Sequence, residues 1–224
     1  MDASSRPPLR GRDQELAIIR RRLSQVRAGT GCVVMVEGSA GLGKTRLLDE
    51  CVSMAQELSF RVGRGTTEPG RAIELGALFD ALFEGKPPLA DRRALKDDHA
   101  SSEFLFWLLQ DVQSLIEEAA LKDPVLICLD DLHWGGTSLS LAMRHLPRSL
   151  SSLPVAWVMA FRPDQGLQQV QLATIELIES GAELIRLGPL DRTAVAQVAT
   201  DVLGAEPDEE LLLKAAREIG RAHV

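Results

Sequence analysis

Basic charge is in short supply in this 224-residue chain: 25 lysines and arginines stand against 32 aspartates and glutamates, for a net charge of −7. That balance excludes the general basic surface with which nucleic-acid-binding proteins neutralise phosphates. Lysine itself is scarce, with Lys44, Lys86, Lys96, Lys122 and Lys214 set against twenty arginines. Such a bias, with abundant Ala, Gly and Leu, is of the kind that a GC-rich bacterial genome encodes. Cysteine is scarce too. Cys32, Cys51 and Cys128 make an odd count without C-x-x-C spacing, which argues against a disulfide scaffold and predicts reduced, packed thiols in a cytoplasmic protein. The four histidines lack metal-ligand spacing, and His133, beside Trp134, reads as structural. No apolar run approaches the ~20 residues that span a bilayer. Residues 1–9 are too short and polar for a secretion signal, and 1–8 read as a disordered leader. Neither an internal repeat nor a low-complexity tract is visible. What the chain does have is a hydrophobic content of 45%, enough for a substantial core.

Apolar runs and helical periodicity alternate along the rest of the chain. From Asp13 the spacing of Leu16, Ile19, Leu23 and Val26 predicts a helix that ends at Gly29. Residues 32–37 read as a buried strand, and 44–58 as a helix with Leu47, Leu48, Cys51 and Met54 on one face. Residues 60–65 alternate weakly and read as a second strand. A helix is predicted over 73–83, a Pro/Gly-containing connection over 84–91, and a long amphipathic helix over 101–121. On that long helix Phe104, Trp107, Leu108, Val112 and Leu115 recur at helical spacing, and both aromatics are expected in the core. Pro124 introduces Val125-Leu126-Ile127-Cys128-Leu129, the most continuous apolar run, which suits a central parallel strand buried on both faces. A helix over 138–150, a strand over 155–161, a helix over 167–179, a short strand over 183–187 and helices over 193–203 and 208–219 complete the pattern. Strands alternating with helices predict an α/β fold: a parallel five-stranded sheet with right-handed crossovers, flanked by helices.

One octapeptide gives that scaffold its chemistry. Gly38-Ser39-Ala40-Gly41-Leu42-Gly43-Lys44-Thr45 is a full match to the G-x-x-x-x-G-K-[ST] phosphate loop, set between a predicted strand and a predicted helix. The glycines let backbone N–H groups turn inward around phosphate oxygens, and the helix presents its positive end to the anion. Lys44 would reach the β- and γ-phosphates, the Thr45 hydroxyl would ligate magnesium, and Arg46 is counted with the loop as nucleotide-binding. The fold expected is therefore that of a P-loop NTPase.

About 85 residues further on, a hydrophobic strand ends in Asp130-Asp131. A pair of aspartates after a strand is also a turn and helix-start signal. Placed after a phosphate loop, Asp130 would hold magnesium, and Asp131 would accept a proton from the attacking water or orient it. The next strand exits through Phe161-Arg162-Pro163. Ligand groups gather outside the carboxyl ends of parallel strands, so Arg162 is expected to approach the γ-phosphate. Near the start, Gly11-Arg12 forms a turn before a helix that can fold over a base.

Taken in order, Leu9-Arg10-Gly11-Arg12-Asp13, the phosphate loop with Arg46-Leu47-Leu48, Leu129-Asp130-Asp131-Leu132-His133-Trp134 and Phe161-Arg162-Pro163 resemble one family. They look like the N-terminal ATPase module of the large ATP-binding regulators of the LuxR type, among the signal-transduction ATPases with numerous domains (STAND) in the AAA-like group. Arg186-Leu187-Gly188-Pro189-Leu190 resembles that family's approach to a helical lid. The resemblance implies ATP and Mg2+ as cofactors, Gly11-Arg12 near the adenine, slow hydrolysis, and a switch that closes and self-associates with nucleotide. After Trp134 the family often carries an acidic residue, whereas this chain has Gly135-Gly136-Thr137.

The domains expected are a P-loop ATPase over 9–190 and the start of a helical lid over 191–217. The last seven residues, 218–224, match an in-frame translation of a common short-read sequencing adapter, and are expected to be a non-biological tail on a truncated frame. DNA contact is expected only through a C-terminal domain beyond this segment, and no membrane partner is expected. Three functions stay open: a regulatory switch ahead of transcriptional control, a steadily turning-over ATPase or the front module of a cyclase or kinase, and a module that only binds nucleotide.

Overall fold

Runs rich in Val, Leu, Ile and Met form one parallel sheet in a computed structural model that describes residues 7–70, 73, 75–95, 104–163 and 165–208. Its strands are β1 (Cys32–Glu37), β2 (Arg61–Thr66), β3 (Val125–Asp130), β4 (Val155–Phe161) and β5 (Glu183–Arg186), in the order β2-β3-β4-β1-β5. Every pairing is parallel. The helices are α1 (Asp13–Arg27), α2 (Lys44–Glu57), α3 (Gly76–Phe83), α4 (Phe104–Ala120), α5 (Thr137–Ser149), α6 (Gln168–Glu179) and α7 (Arg192–Leu203). The expected five-stranded, helix-flanked α/β sheet is what forms. Residues 1–6 of the leader expected over 1–8, residues 101–103 of the expected long helix, and residues 209–224 of the expected final helix and tail lie outside the described residues.

The period-two geometry of the strands sorts side chains to two faces. On β3, Val125, Ile127 and Leu129 join one buried cluster with Val155, Trp157, Met159 and Phe161 of β4 and residues of α3 to α6. Leu126 and Cys128 point the other way, with Ala156, Val158 and Ala160, onto α1 and α2. Both central strands are buried on both faces, so neither shows polar alternation. The three thiols are free. Cys32 is half-buried rather than buried, and burial pushes its thiol up to about 11 and that of Cys51 to about 12.

Two expectations need correction. Phe104 and Trp107 are exposed, not core. The inward stripe of α4 runs through Leu105, Leu108, Leu109, Val112, Leu115, Ile116 and Ala119; at 100° per residue Trp107 falls off that stripe, while Phe104 lies at its edge, in line with Leu108 and Leu115, as the first residue of the helix. The predicted helix over 73–83 starts only at Gly76, with Ile73 exposed ahead of it.

Strand register brings the functional segments level. Glu37 pairs with Phe161 and Thr66 with Asp130, so the chain leaves β1, β2, β3 and β4 along one edge. The Gly38 N–H donates to the Phe161 carbonyl at 3.3 Å, tying the first residue of the phosphate loop to the end of β4.

Candidate functional site

The phosphate loop turns out of β1 through two left-handed glycines, Gly41 (φ 76°) and Gly43 (φ 85°). Gly43 is the N-cap of α2 and supplies no side-chain cap. The first N–H groups of α2 therefore lack the acceptor that a capping Ser or Asp would provide, an arrangement suited to an anion. Lys44 folds back over the loop. Its Nζ donates to the Gly38 carbonyl at 2.8 Å and the Ser39 carbonyl at 2.9 Å. Burial lowers the Lys44 ammonium below its ordinary value, as does the nearby Arg162 cation, with Asp131 and Asp130 acting in the opposite sense. A phosphate would supply the negative charge that two carbonyls give only in part.

Across β4 from the loop stands the tip of β3. Asp130 is buried, and its Oδ2 accepts from Thr45 Oγ1 at 2.7 Å. Its other oxygen, Oδ1, accepts from the Asp131 N–H at 2.8 Å. The residues present fit a magnesium ion. Two hard oxygens 2.7 Å apart match the roughly 3 Å between neighbouring ligands of an octahedral Mg2+ with bonds of about 2.1 Å. Among the described residues no group of three His, Cys, Asp or Glu could hold a metal. A Thr–Asp pair completed by phosphates and water is the pattern that Mg2+ takes.

Asp131 adopts a left-handed backbone (φ 53°, ψ 37°), which Asp tolerates better than most residues. It caps a short 3₁₀ turn over Leu132–Trp134. Thr67, just past β2, holds this corner: its N–H donates to the Asp130 carbonyl at 3.1 Å, and its hydroxyl donates to the Asp131 carbonyl. Sequence reasoning missed Thr67. The available signal was a hydroxyl residue directly following a strand, at the end where ligands gather. His133 is fully buried, with Nδ1 3.8 Å from Asp131 Oδ1. Burial lowers its imidazole below the ordinary range, with Asp131 opposing and Arg162 and Lys44 reinforcing the shift.

The remaining candidates are spread more widely. Arg162 follows β4; its Nη1 donates to Gln165 Oε1 at 3.1 Å, and its Nε is buried without a partner among the described residues. Arg46 points away along α2, donating to the Pro7 carbonyl at 2.5 Å and pairing with Glu50 at 2.7 Å. Arg12 is buried, and its Nη2 donates both to the Leu42 carbonyl in the phosphate loop at 3.2 Å and to the Gly188 carbonyl at 2.6 Å. Gly11 (φ 65°) lies so close to α7 that a Cβ there would stand 2.5 Å from the Ala194 Cβ. Where the resembling family often has an acid, Gly136 caps α5 without a side-chain hydrogen bond.

A phosphate loop after β1, a carboxylate-tipped β3 across the intervening β4, and a 2-3-4-1-5 parallel sheet define a P-loop NTPase of the AAA group. The AAA ATPase domain family matches residues 8–158, more than half of the chain, and the protein belongs to that family. It is 25% identical over 208 residues to the uncharacterized protein R02095 of Rhizobium meliloti (strain 1021), a match taking in 74% of this chain and 20% of that one. This chain therefore spans about a fifth of that relative's length. Its fold is similar to the Aeropyrum pernix ORC2 protein in ADPNP–ADP complexes, with a TM-score of 0.61 at 16% identity over 96% of this chain and 59% of that one. It is also similar to AMPPCP-bound DnaA from Aquifex aeolicus, with a TM-score of 0.54 at 18% identity over 94% and 59%. Among the described residues no helix is long and apolar enough to cross a membrane.

Proposed function

We propose that this chain binds Mg–ATP between the phosphate loop and the tip of β3, hydrolyses it slowly, and serves as the nucleotide-operated switch of a LuxR-type transcriptional regulator of the STAND class. One observation carries the nucleotide site: the 2.7 Å contact between Thr45 Oγ1 and Asp130 Oδ2, beside a Lys44 held over the loop. In this reading Gly38, Ser39, Ala40, Gly41, Leu42 and Gly43 wrap the phosphates, and Lys44 neutralises the β- and γ-phosphates. Thr45 and Asp130 hold Mg2+, which would screen charge on the transferring phosphoryl group. Arg162 follows a strand whose end is tied to Gly38, a position that supports a contact with the γ-phosphate. Asp131 takes the proton of the attacking water as the water oxygen bonds to the γ-phosphorus and the bond to the β–γ bridging oxygen breaks, releasing ADP.

The regulatory part of the proposal rests on the Leu129–Trp134 run and the Gly11-Arg12 box, which resemble the LuxR-type ATPase module. Arg12 supports a switching role through its bonds to Leu42 in the loop and Gly188 ahead of α7. A loop that moves on binding nucleotide would pull on the start of the lid. DNA contact falls to another domain of the regulator, in keeping with the −7 charge of this segment. Asp131→Asn tests the hydrolytic assignment, because Asn keeps the tolerance for a left-handed backbone. Equilibrium binding of Mg–ATP should stay near the parent value while single-turnover hydrolysis falls by about a hundredfold. Unchanged hydrolysis would remove Asp131 from the mechanism. Turnover at saturating ATP separates a switch, which is slow, from a remodelling ATPase.

A further inference from the structure

His133 is the anomaly beside this site. Its side chain is fully buried, yet among the described residues neither Nδ1 nor Nε2 has a hydrogen-bond partner. Buried polar atoms seldom stay in that condition unless another state satisfies them. Its backbone is closely packed and its ring has one aromatic neighbour. Gly166 (φ 101°) brings the loop after β4 so close that a Cβ there would stand 2.6 Å from the His133 carbonyl oxygen. The Trp134 ring lies against the imidazole, with centroids 5.0 Å apart and planes at 43°. So placed, Nδ1 faces Asp131 Oδ1 from 3.8 Å, under 1 Å beyond hydrogen-bonding range.

The Asp131 backbone is fixed by the Thr67 hydroxyl on its carbonyl and by its own N–H on Asp130. Neither contact sets the direction of its carboxylate. We propose that His133 is the positioning residue for Asp131: in the hydrolysing state the Nδ1–H donates to Oδ1 and aims Oδ2 at the attacking water. The inference rests on the reading of Asp131 as the proton acceptor. A neutral imidazole orients the carboxylate without the loss of basicity that a neighbouring Lys or Arg would bring. Oδ2 receives the water proton as the water oxygen bonds to the γ-phosphorus and the bridging bond breaks, and ADP departs.

Five variants separate this role from packing. His133→Phe keeps an aromatic ring and loses both nitrogens; His133→Asn places an amide nitrogen where Nδ1 sits; His133→Gln places one nearer Nε2. Asp131→Asn serves alone and combined with His133→Phe. The measurements are single-turnover hydrolysis of γ-labelled ATP with Mg2+, dissociation constants for a fluorescent ATP analogue, and melting temperature. His133→Phe should lose between about tenfold and a hundredfold in rate with unchanged nucleotide affinity. Asn should regain most of that loss and Gln should not. In the Asp131→Asn background His133→Phe should cost nothing further. The inference is overturned by a His133→Phe rate equal to the parent, by Gln rescuing as well as Asn, by a matching fall in affinity, or by additive losses in the double variant. Should His133→Phe melt early, the Asn and Gln pair carries the comparison, and equal rates for the two overturn it. Full hydrolysis by Asp131→Asn sinks the reading of Asp131 itself, whereas an impaired Asp131→Asn beside an unimpaired His133→Phe sinks the role of His133 alone.

Discussion

Lys44 is a buried ammonium whose hydrogen bonds run to two carbonyls of its own loop, and burial with Arg162 nearby works against its charge. His133 is a buried imidazole without a partner among the described residues, beside the left-handed Asp131. Buried ionisable side chains in such states are enriched at binding and catalytic sites. The His133 shift has a consequence for stability. Its folded value lies below the unfolded 6.5, so below about pH 6.5 the unfolded chain takes up a proton that the folded ring refuses. The contribution of this group is complete above pH 6.5 and declines as the pH falls, by at most about 1.4 kcal/mol per pH unit. Urea denaturation at pH 7.5 and pH 5.5 should show the parent losing more stability on acidification than His133→Phe; equal losses would contradict the assigned direction. Thr67 escaped sequence reasoning because a lone hydroxyl meets its partners only when register sets Thr66 against Asp130. His133 reads as structural in the sequence, and only the fold shows its ring nitrogens without partners among the described residues beside Asp131.

The elements themselves were largely legible, because parallel strands buried on both faces appear as unbroken apolar runs. Residues 32–37 and 155–161 read as strands in the sequence with the bounds that β1 and β4 have. Phase was harder. Trp107 shares the helical period of the core residues of α4 without sharing their face, and a single sequence does not say which part of the wheel meets the sheet. In β2 the weak alternation has a steric cause: Gly63 and Gly65 let α3 lie directly on the strand. A Cβ on Gly65 would stand 1.7 Å from the Ala77 carbonyl oxygen, and one on Gly63 would stand 2.2 Å from that of Ala81. Gly65→Ala should therefore destabilise the fold by about 3 kcal/mol in urea denaturation. Gly188→Ala, whose Cβ would meet nothing within 4 Å, should stay within about 0.5 kcal/mol of the parent. Equal effects would show that close packing of α3 on β2 is not what selects glycine there.

Across the whole molecule the sheet order carries the function. With β4 between β1 and β3, the phosphate loop and the carboxylate tip approach from opposite sides of one strand, and Thr45 meets Asp130 across 85 residues of sequence. Arg12 then ties the loop to Gly188, just ahead of α7, through two carbonyls. The AAA ATPase domain match over residues 8–158 takes in the phosphate loop, Arg12 and Asp130. Lys44, Thr45 and Asp130 should act together as one Mg–ATP site. Isothermal titration of the chain with a non-hydrolysable ATP analogue, with Mg2+ and with EDTA, and in parallel on Lys44→Ala, measures that directly. One nucleotide should bind per chain, more tightly with Mg2+, and binding should be lost in Lys44→Ala. Absence of binding by the folded parent, or equal affinity in Lys44→Ala, would contradict it.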